Sequence, residues 1–464
     1  MTEITDLAAS ELSSAIRQHE LSCVEVMQAY LERIAHLNPV YNALVSLRDP
    51  DACLSDAKTA DDELAAGNYR GWMHGMPHAV KDLSDVAGLP TSMGSPLFAG
   101  TVAEADSPFV ERVRSAGAIF VGKTNTPEWG LGSQTYNAVF GATVNAYDPS
   151  LAAGGSSGGA AVALATRMLP VADGSDMMGS LRNPAGFNNV VGLRPTTGLV
   201  PPRPARDKSI LQLGTDGPMG REVADTARLF ETLTGIQLDD SAAADLRDCK
   251  LGWLGDYRGY LPFEEGVVDL CSSRLQGLVG AGCSVEDCVP DFDMARLWQC
   301  WLTLRQRTFF EDRDIYADPD RRSLMKPEWQ WEVQQGLAID ERQLADAHQS
   351  VLDWKAALNK LFEQYNLLVL PTAQVFPFSI ELQWPKSIDG RDMDTYHRWM
   401  EVTIGATLAG LPAVALPAGF DIEGRAMGLQ FIGPAGQDRK VLEFALAYEA
   451  ATGLLPANPP LRSS

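Results

Sequence analysis

The 464-residue chain reads as an α/β protein, and three stretches carry that reading. Ser107-Pro108 sets a helix N-terminus with proline at the first helical position; the helix runs to Gly117, and a β-branched run at 118–121 follows as a buried strand. The glycine-rich stretch 154–159 feeds an apolar run, 160–169, that Pro170 stops, which predicts loop, helix and then a strand near Val171. Further on, a helix at 223–233 ending near Gly235, a strand at 250–254, a helix at 267–279 and a strand at 283–285 continue the alternation. Helix, glycine and β-branched run in succession are the grammar of an α/β sheet.

In chain order, the opening residues predict two helices. Ser22 and Glu25 form a capping-box pattern, and Val24, Met27, Leu31 and Ile34 then share one face, as a packing arm would. That arm lacks the basic character of a calmodulin-type target helix. From Arg70 the chain turns to short strands and turns, and Lys81 ends a short apolar, strand-like run beginning at Met76. Residues 239–248 are polar and alanine-rich, a surface connection. Segment 293–335 crowds Trp298, Trp301, Phe309, Phe310, Trp329 and Trp331 among charges, which ordinary helix packing accounts for. A helix over Glu341–Phe362 leads to a strand at 367–370, and Phe376, Phe378, Trp384 and Trp399, in 374–400, follow as a candidate aromatic rim. No repeat or low-complexity linker interrupts the chain.

Lysine plus arginine number 38 against 60 aspartate plus glutamate, a formal charge of −22, which argues against nucleic acid as partner. No run approaches the roughly 18 apolar residues of a membrane span. The opening Met-Thr-Glu-Ile-Thr-Asp lacks a signal peptide's basic and apolar regions, so a cytoplasmic location and no membrane partner are expected. The cysteines at 23, 53, 249, 271, 283, 288 and 300 are an odd set with no ligand spacing, and the six histidines do not cluster. Buried reduced thiols, no metal and no cofactor are the expectation.

The chemistry concentrates between Gly154 and Thr197. Ser156 stands beside Ser157 in a nest of four glycines, and Ser180 ends Asp-Met-Met-Gly-Ser. A glycine-rich loop feeding a helix N-terminus stabilises developing negative charge, so two serines in two such loops suggest acyl transfer. Lys81, after a buried run in a neutral setting, can lose its proton near pH 7 and act as a base.

Together Lys81, Gly-Gly-Ser-Ser-Gly-Gly at 154–159 and Ser180 with its following Ser-Leu-Arg-x-Pro run closely resemble the amidase signature family of serine hydrolases. The resemblance is dense from about Gly75 to Arg221. It returns at Leu370-Pro371-Thr372 and from Gly410-Leu411-Pro412 to Gly428-Leu429-Gln430. It implies a single domain over 1–464 built on one large mixed sheet covered by helices on both faces. Within it, 1–69 would be a helical arm, 70–235 the signature core, 236–400 a variable region shaping the substrate mouth, and 401–464 a return to the core. By match to the family motif, Lys81 is the base, Ser156 the bridging serine held by a cis peptide and Ser180 the nucleophile. The oxyanion hole is expected from the backbone N–H groups of Met177, Met178, Gly179 and Ser180. Ser157, Ser175, Asp176 and Arg182 support the site: Ser175 beside the lysine, Asp176 and Arg182 as a structural pair. Lys123 matches too and reads as structural, as Asn137 and Asn145 do as turn residues. The family carries Gly-Gly before the nucleophile where this chain has Met178-Gly179. A side chain at 178 restricts φ and adds bulk beside the acyl site, altering substrate choice.

The expected partner is a small amide, carbamate or ester, with a homodimer as a candidate assembly. Three other readings remain. Gly155-Ser156-Ser157-Gly158-Gly159 formally satisfies the nucleophile elbow of an α/β-hydrolase, with Ser157 as nucleophile, but no convincing strand precedes it and only His348 and His397 follow. The family's signature is shared by the glutaminase subunit of a tRNA-dependent amidotransferase. A non-catalytic binding protein could keep the fold, against which stands retention of all three triad positions. Phosphate binding by the glycine-rich loop is a poor alternative, because no lysine follows in G-K-[ST] form.

Overall fold

Two sheets, one large and one small, meet at the residues singled out above. The structure is a computed structural model and describes residues 3–202, 211–238 and 242–454. Eight strands form the larger sheet, in the order Ser284–Asp287, Lys250–Trp253, Leu367–Pro371, Ala426–Ile432, Ala413–Phe420, Val191–Arg194, Thr215–Gly220 and Val171–Asp176. The first three run parallel and every later pairing is antiparallel. The sheet is therefore mixed, with flanking helices, as expected. Its central strands Leu367–Pro371 and Ala426–Ile432 are buried at every residue, which is why they read as apolar runs broken only by Gln430, whose amide donates to the Pro371 and Val402 carbonyls.

The smaller sheet has Ile119–Thr124 in the middle, with Pro77–Lys81 parallel on one side and Leu44–Val45 antiparallel on the other. Lys81 thus sits on a sheet separate from the one that carries Ser175. Asp173 joins the two: its carboxylate accepts the Lys81 backbone N–H at 3.2 Å and lies 3.0 Å from His78 Nε2, all three residues buried.

The arm is as expected and one helix longer. Ser22 Oγ accepts the Glu25 N–H at 3.1 Å while the Glu25 carboxylate accepts the Ser22 N–H at 2.8 Å, starting the helix Cys23–Tyr41. Met27 and Ile34 are buried, Val24 and Leu31 partly so. A further helix, Pro50–Ala65, had no anticipated place. Ser107 precedes the helix Pro108–Ser115 without capping it through its side chain; its Oγ accepts the N–H of Asp85 at 2.9 Å instead. Of the connection at 239–248, residues 239–241 lie outside the described residues. All seven thiols are free, with Cys249 and Cys288 only partly buried, against the expectation that all would be buried.

Two short helices, Gly158–Ala165 and Arg182–Phe187, are buried at every residue. The second lies against the large sheet at backbone contact: a Cβ on Gly186 would fall 2.2 Å from Thr372 Oγ1, and one on Gly428 would fall 2.8 Å from the Gly186 Cα. Glycine at both places lets the helix that follows Ser180 sit directly on the strand. The aromatic stretch 293–335 folds into the helices Met294–Phe309, Arg313–Ala317, Pro319–Ser323 and Pro327–Leu337, with Trp298, Trp301 and Trp329 fully buried between packed elements.

Candidate active site

Lys81, at the end of its strand, is 1% exposed and ringed by hydroxyls. Its Nζ lies 2.7 Å from Ser156 Oγ, 2.8 Å from Ser157 Oγ and 3.0 Å from Ser175 Oγ. Burial pulls the ammonium from its ordinary 10.5 down to about 7, against the opposing pull of the Asp216, Asp173 and Asp176 carboxylates. The amine therefore gives up its proton far more readily than a free lysine does.

The two adjacent serines differ in outlook. Ser156, behind the cis Gly155–Ser156 peptide, opens onto a pocket of about 450 Å³ that Ser180 also lines. Ser157 is wholly buried and does not line that pocket; its Oγ lies 3.4 Å from the Ser175 carbonyl, to which it can donate. Ser157 can thus accept a hydrogen bond from the lysine while directing its own proton elsewhere, which leaves Ser156 to hand a proton to the amine lone pair. Ser180 is 6% exposed, and among the described residues its Oγ makes no hydrogen bond.

The turn holding Ser180 is built on Asp176. The carboxylate accepts the Gly179 N–H at 2.9 Å, the Leu181 N–H at 3.2 Å, and Arg182 Nη2 and Nε at 2.9 Å each. Arg194 donates to the Asp176 carbonyl, and its Nη1 is 3.5 Å from the carboxylate. Burial alone would favour the protonated acid, but the two guanidinium groups and the backbone donors hold the carboxyl well below the usual range. The structural pairing of Asp176 with Arg182 is as expected; Arg194 is an addition. The expected oxyanion set needs correcting at Gly179, whose N–H already serves Asp176. The N–H groups of Met177, Met178 and Ser180 have no protein acceptor among the described residues.

The backbone reason given for the Met178 departure also needs correcting. Met178 is not among the positive-φ residues, whereas Gly179 has φ +78 and a Cβ there would lie 2.7 Å from Thr403 Cγ2. The conformational demand falls on 179, so a side chain at 178 needs no left-handed backbone and adds only bulk to the pocket wall. Met177 and Met178 both line the pocket, with Leu83, Met93, Leu131 and Phe309. The aromatic rim differs from the one anticipated. Phe309 is the one aromatic of those singled out in 293–335 that lines the pocket, and Phe376, Phe378, Trp384 and Trp399 do not line it. Trp129 supplies the other aromatic wall, stacked on Trp329 at 4.5 Å and on Phe98 at 5.3 Å. Arg305, His397 and Asp216 add polar groups. Asp216 falls in 214–219, a run that resembles the family's turn beneath the active site, and His397 enters the sequence reading only under the α/β-hydrolase alternative; Trp129, Arg305 and Arg194 escape it.

Lys123 is structural, its Nζ 2.7 Å from the Ser84 carbonyl and 3.3 Å from Asp82. Asn137 and Asn145 fasten loops, donating to Asn125 Oδ1 at 2.8 Å and to the Phe187 carbonyl at 2.9 Å. Among the described residues no three His, Cys, Asp or Glu side chains gather as metal ligands, and no helix is long and apolar enough to cross a membrane.

A buried amine, a pocket-facing serine against it and a second serine beside unpaired backbone donors are thus gathered at one pocket. The family model described as Amidase matches residues 25–253 and 306–442, and the chain belongs to the amidase signature family of amide-hydrolysing enzymes. It is 31% identical to a glutamyl-tRNA(Gln) amidotransferase subunit of Rhodococcus erythropolis strain PR4, over 98% of this chain and 99% of that one. It is 29% identical to an acylamidase of Rhodococcus erythropolis, over 96% and 95%. The crystal structure of a bacterial aryl acylamidase of the same family superposes with a TM-score of 0.90 over 98% of this chain and 99% of that one; at 24% identity the likeness is one of fold.

Proposed function

We propose that the chain hydrolyses the C–N bond of neutral aryl or alkyl amides through an acyl-enzyme on Ser180, with aryl carbamates (urethanes) and activated esters as companion substrates. The observation that carries this reading is the 2.7 Å contact between Lys81 and Ser156 at the edge of an apolar pocket that Ser180 shares. Neutral Lys81 takes the Ser156 proton as Ser156 takes that of Ser180, and Ser180 Oγ bonds to the substrate carbonyl carbon. The N–H groups of Met177, Met178 and Ser180 receive the oxyanion. As the C–N bond breaks, the proton returns along the relay to the leaving nitrogen; water then adds to the acyl-enzyme and frees the acid. Ser175 holds the lysine, and Ser157 orients it.

The methionines support an apolar substrate, since a flexible thioether adapts to irregular apolar groups and rings. A second reading, a glutaminase that works within a tRNA-dependent amidotransferase, is favoured by the 31% identity to a component of such an enzyme. A fluorophosphonate label followed by peptide mapping tests the site, and p-nitroanilide against glutamine hydrolysis separates the readings. Label on Ser157 with Ser180 unmodified would overturn the assignment; glutamine as the better substrate would favour the second reading.

A further inference from the structure

Both ring nitrogens of His397 are buried without a hydrogen-bond partner, and the residue is part of the pocket wall. Buried polar groups are hydrogen-bonded as a rule, so an exception in the wall of a cavity points to a ligand. The ring packs against Tyr396 at 4.7 Å and Trp298 at 5.3 Å, which fixes its place. Burial and the nearby Arg305 and Arg398 hold it well below the usual imidazole range, hence neutral, with one donor and one acceptor.

Arg305 lines the same pocket. Its Nε donates to Glu332 at 2.6 Å and its Nη2 to Tyr396 Oη at 2.6 Å, while Nη1 meets only the Met177 sulfur, a weak acceptor, at 3.5 Å. Glu332 balances its charge, and Asp216, which also lines the pocket, repels anions. The corner is therefore rich in hydrogen-bonding capacity and poor in net positive charge.

We infer that Arg305 and His397 form a recognition corner for a neutral carbonyl-bearing group, a second amide, urea or carbamate, at a point of the substrate other than the carbonyl under attack. Arg305 Nη1 donates to that carbonyl oxygen, and His397 pairs with the adjoining N–H or oxygen. The inference deepens the proposed function and rests on this pocket being the amide-hydrolysis site.

The test uses aryl amides identical but for one terminal group, CONH₂, CH₃ or COO⁻, placed on the acyl chain in one series and on the anilide ring in the other. Their Kd values are measured by calorimetry on Ser180→Ala, which binds without cleaving, and on Ser180→Ala carrying His397→Phe. We expect the carboxamide to bind about tenfold more tightly than the methyl and carboxylate compounds in at least one series, and His397→Phe to abolish that preference. His397→Asn, which keeps a donor and an acceptor, should retain part of it. No carboxamide preference in either series, a carboxylate preference, or a preference that survives His397→Phe overturns the inference. The Ser180→Ala comparison stands by itself if the Phe variant does not fold. Turnover by the wild type reports separately on the function: hydrolysis without a carboxamide preference sinks only the corner, whereas a preference without hydrolysis sinks the amidase reading and leaves the corner as a binding site alone.

Discussion

Lys81 ties activity and stability to the same proton. The span from 10.5 to about 7 corresponds, at about 1.4 kcal/mol per unit, to roughly 5 kcal/mol in favour of the neutral amine in the folded protein. Below pH 7 the lysine is charged in both folded and unfolded chains, and the folded state bears the full burial cost. Between pH 7 and 10.5 only the unfolded chain holds the proton, so stability rises with pH through that window. Between pH 6 and pH 9 the gain is about 3 kcal/mol. Lys81→Met removes the titration while keeping an unbranched side chain. Buried Glu401 and half-buried Glu449, both raised to about 7 chiefly by burial, titrate alike in both proteins and cancel in the comparison. Urea unfolding at the two pH values should show the wild type gaining about 3 kcal/mol relative to Lys81→Met. In parallel, kcat/KM on an aryl amide should fall tenfold per unit below pH 7 and level off above pH 8. An acid limb centred near pH 4, as for a carboxylate base, or a stability difference that does not move with pH, would refute the reasoning.

Three further outcomes are expected. Ser180→Ala should abolish the acyl-enzyme burst and Ser156→Ala should lower kcat by about a thousandfold or more, while Ser157→Ala, which removes a lysine partner and its bonds to the Ser175 backbone, should cost about tenfold; stopped-flow burst kinetics rank them. Asp176→Asn leaves Arg182 and Arg194 buried beside a neutral amide and should destabilise the fold by roughly 3–5 kcal/mol in urea titration, with loss of activity as the Ser180 turn relaxes. Met178→Gly empties apolar volume beside the nucleophile, so the ratio of p-nitroanilide to glutamine hydrolysis should fall; an unchanged ratio would show that the methionine has no part in substrate choice.

Where a signal is local, the chain carried it openly. The helix Glu341–Phe362 starts at a reciprocal cap between Asp340 and Gln343, and the helix Val223–Thr234 stops at Gly235 in the left-handed conformation, because a few adjoining residues decide both ends. The motif residues Lys81, Ser156 and Ser180 were legible through their resemblance to a family, and so was the mixed sheet that presents them. What only the tertiary structure decided depends on groups far apart in sequence. Lys81 meets its hydroxyls because Asp173, 92 residues on, accepts its backbone N–H across two sheets. The demand for glycine lies at 179 and not at 178 because Thr403 fills the space a Cβ would take. Ser156 and Ser157 are neighbours in one motif, yet only the fold around them places one at the pocket and the other in the interior. Arg305 and His397 became partners of the site for the same reason: periodicity and capping report on neighbours along the chain, whereas a pocket wall is assembled from segments that touch only after the chain has closed on itself.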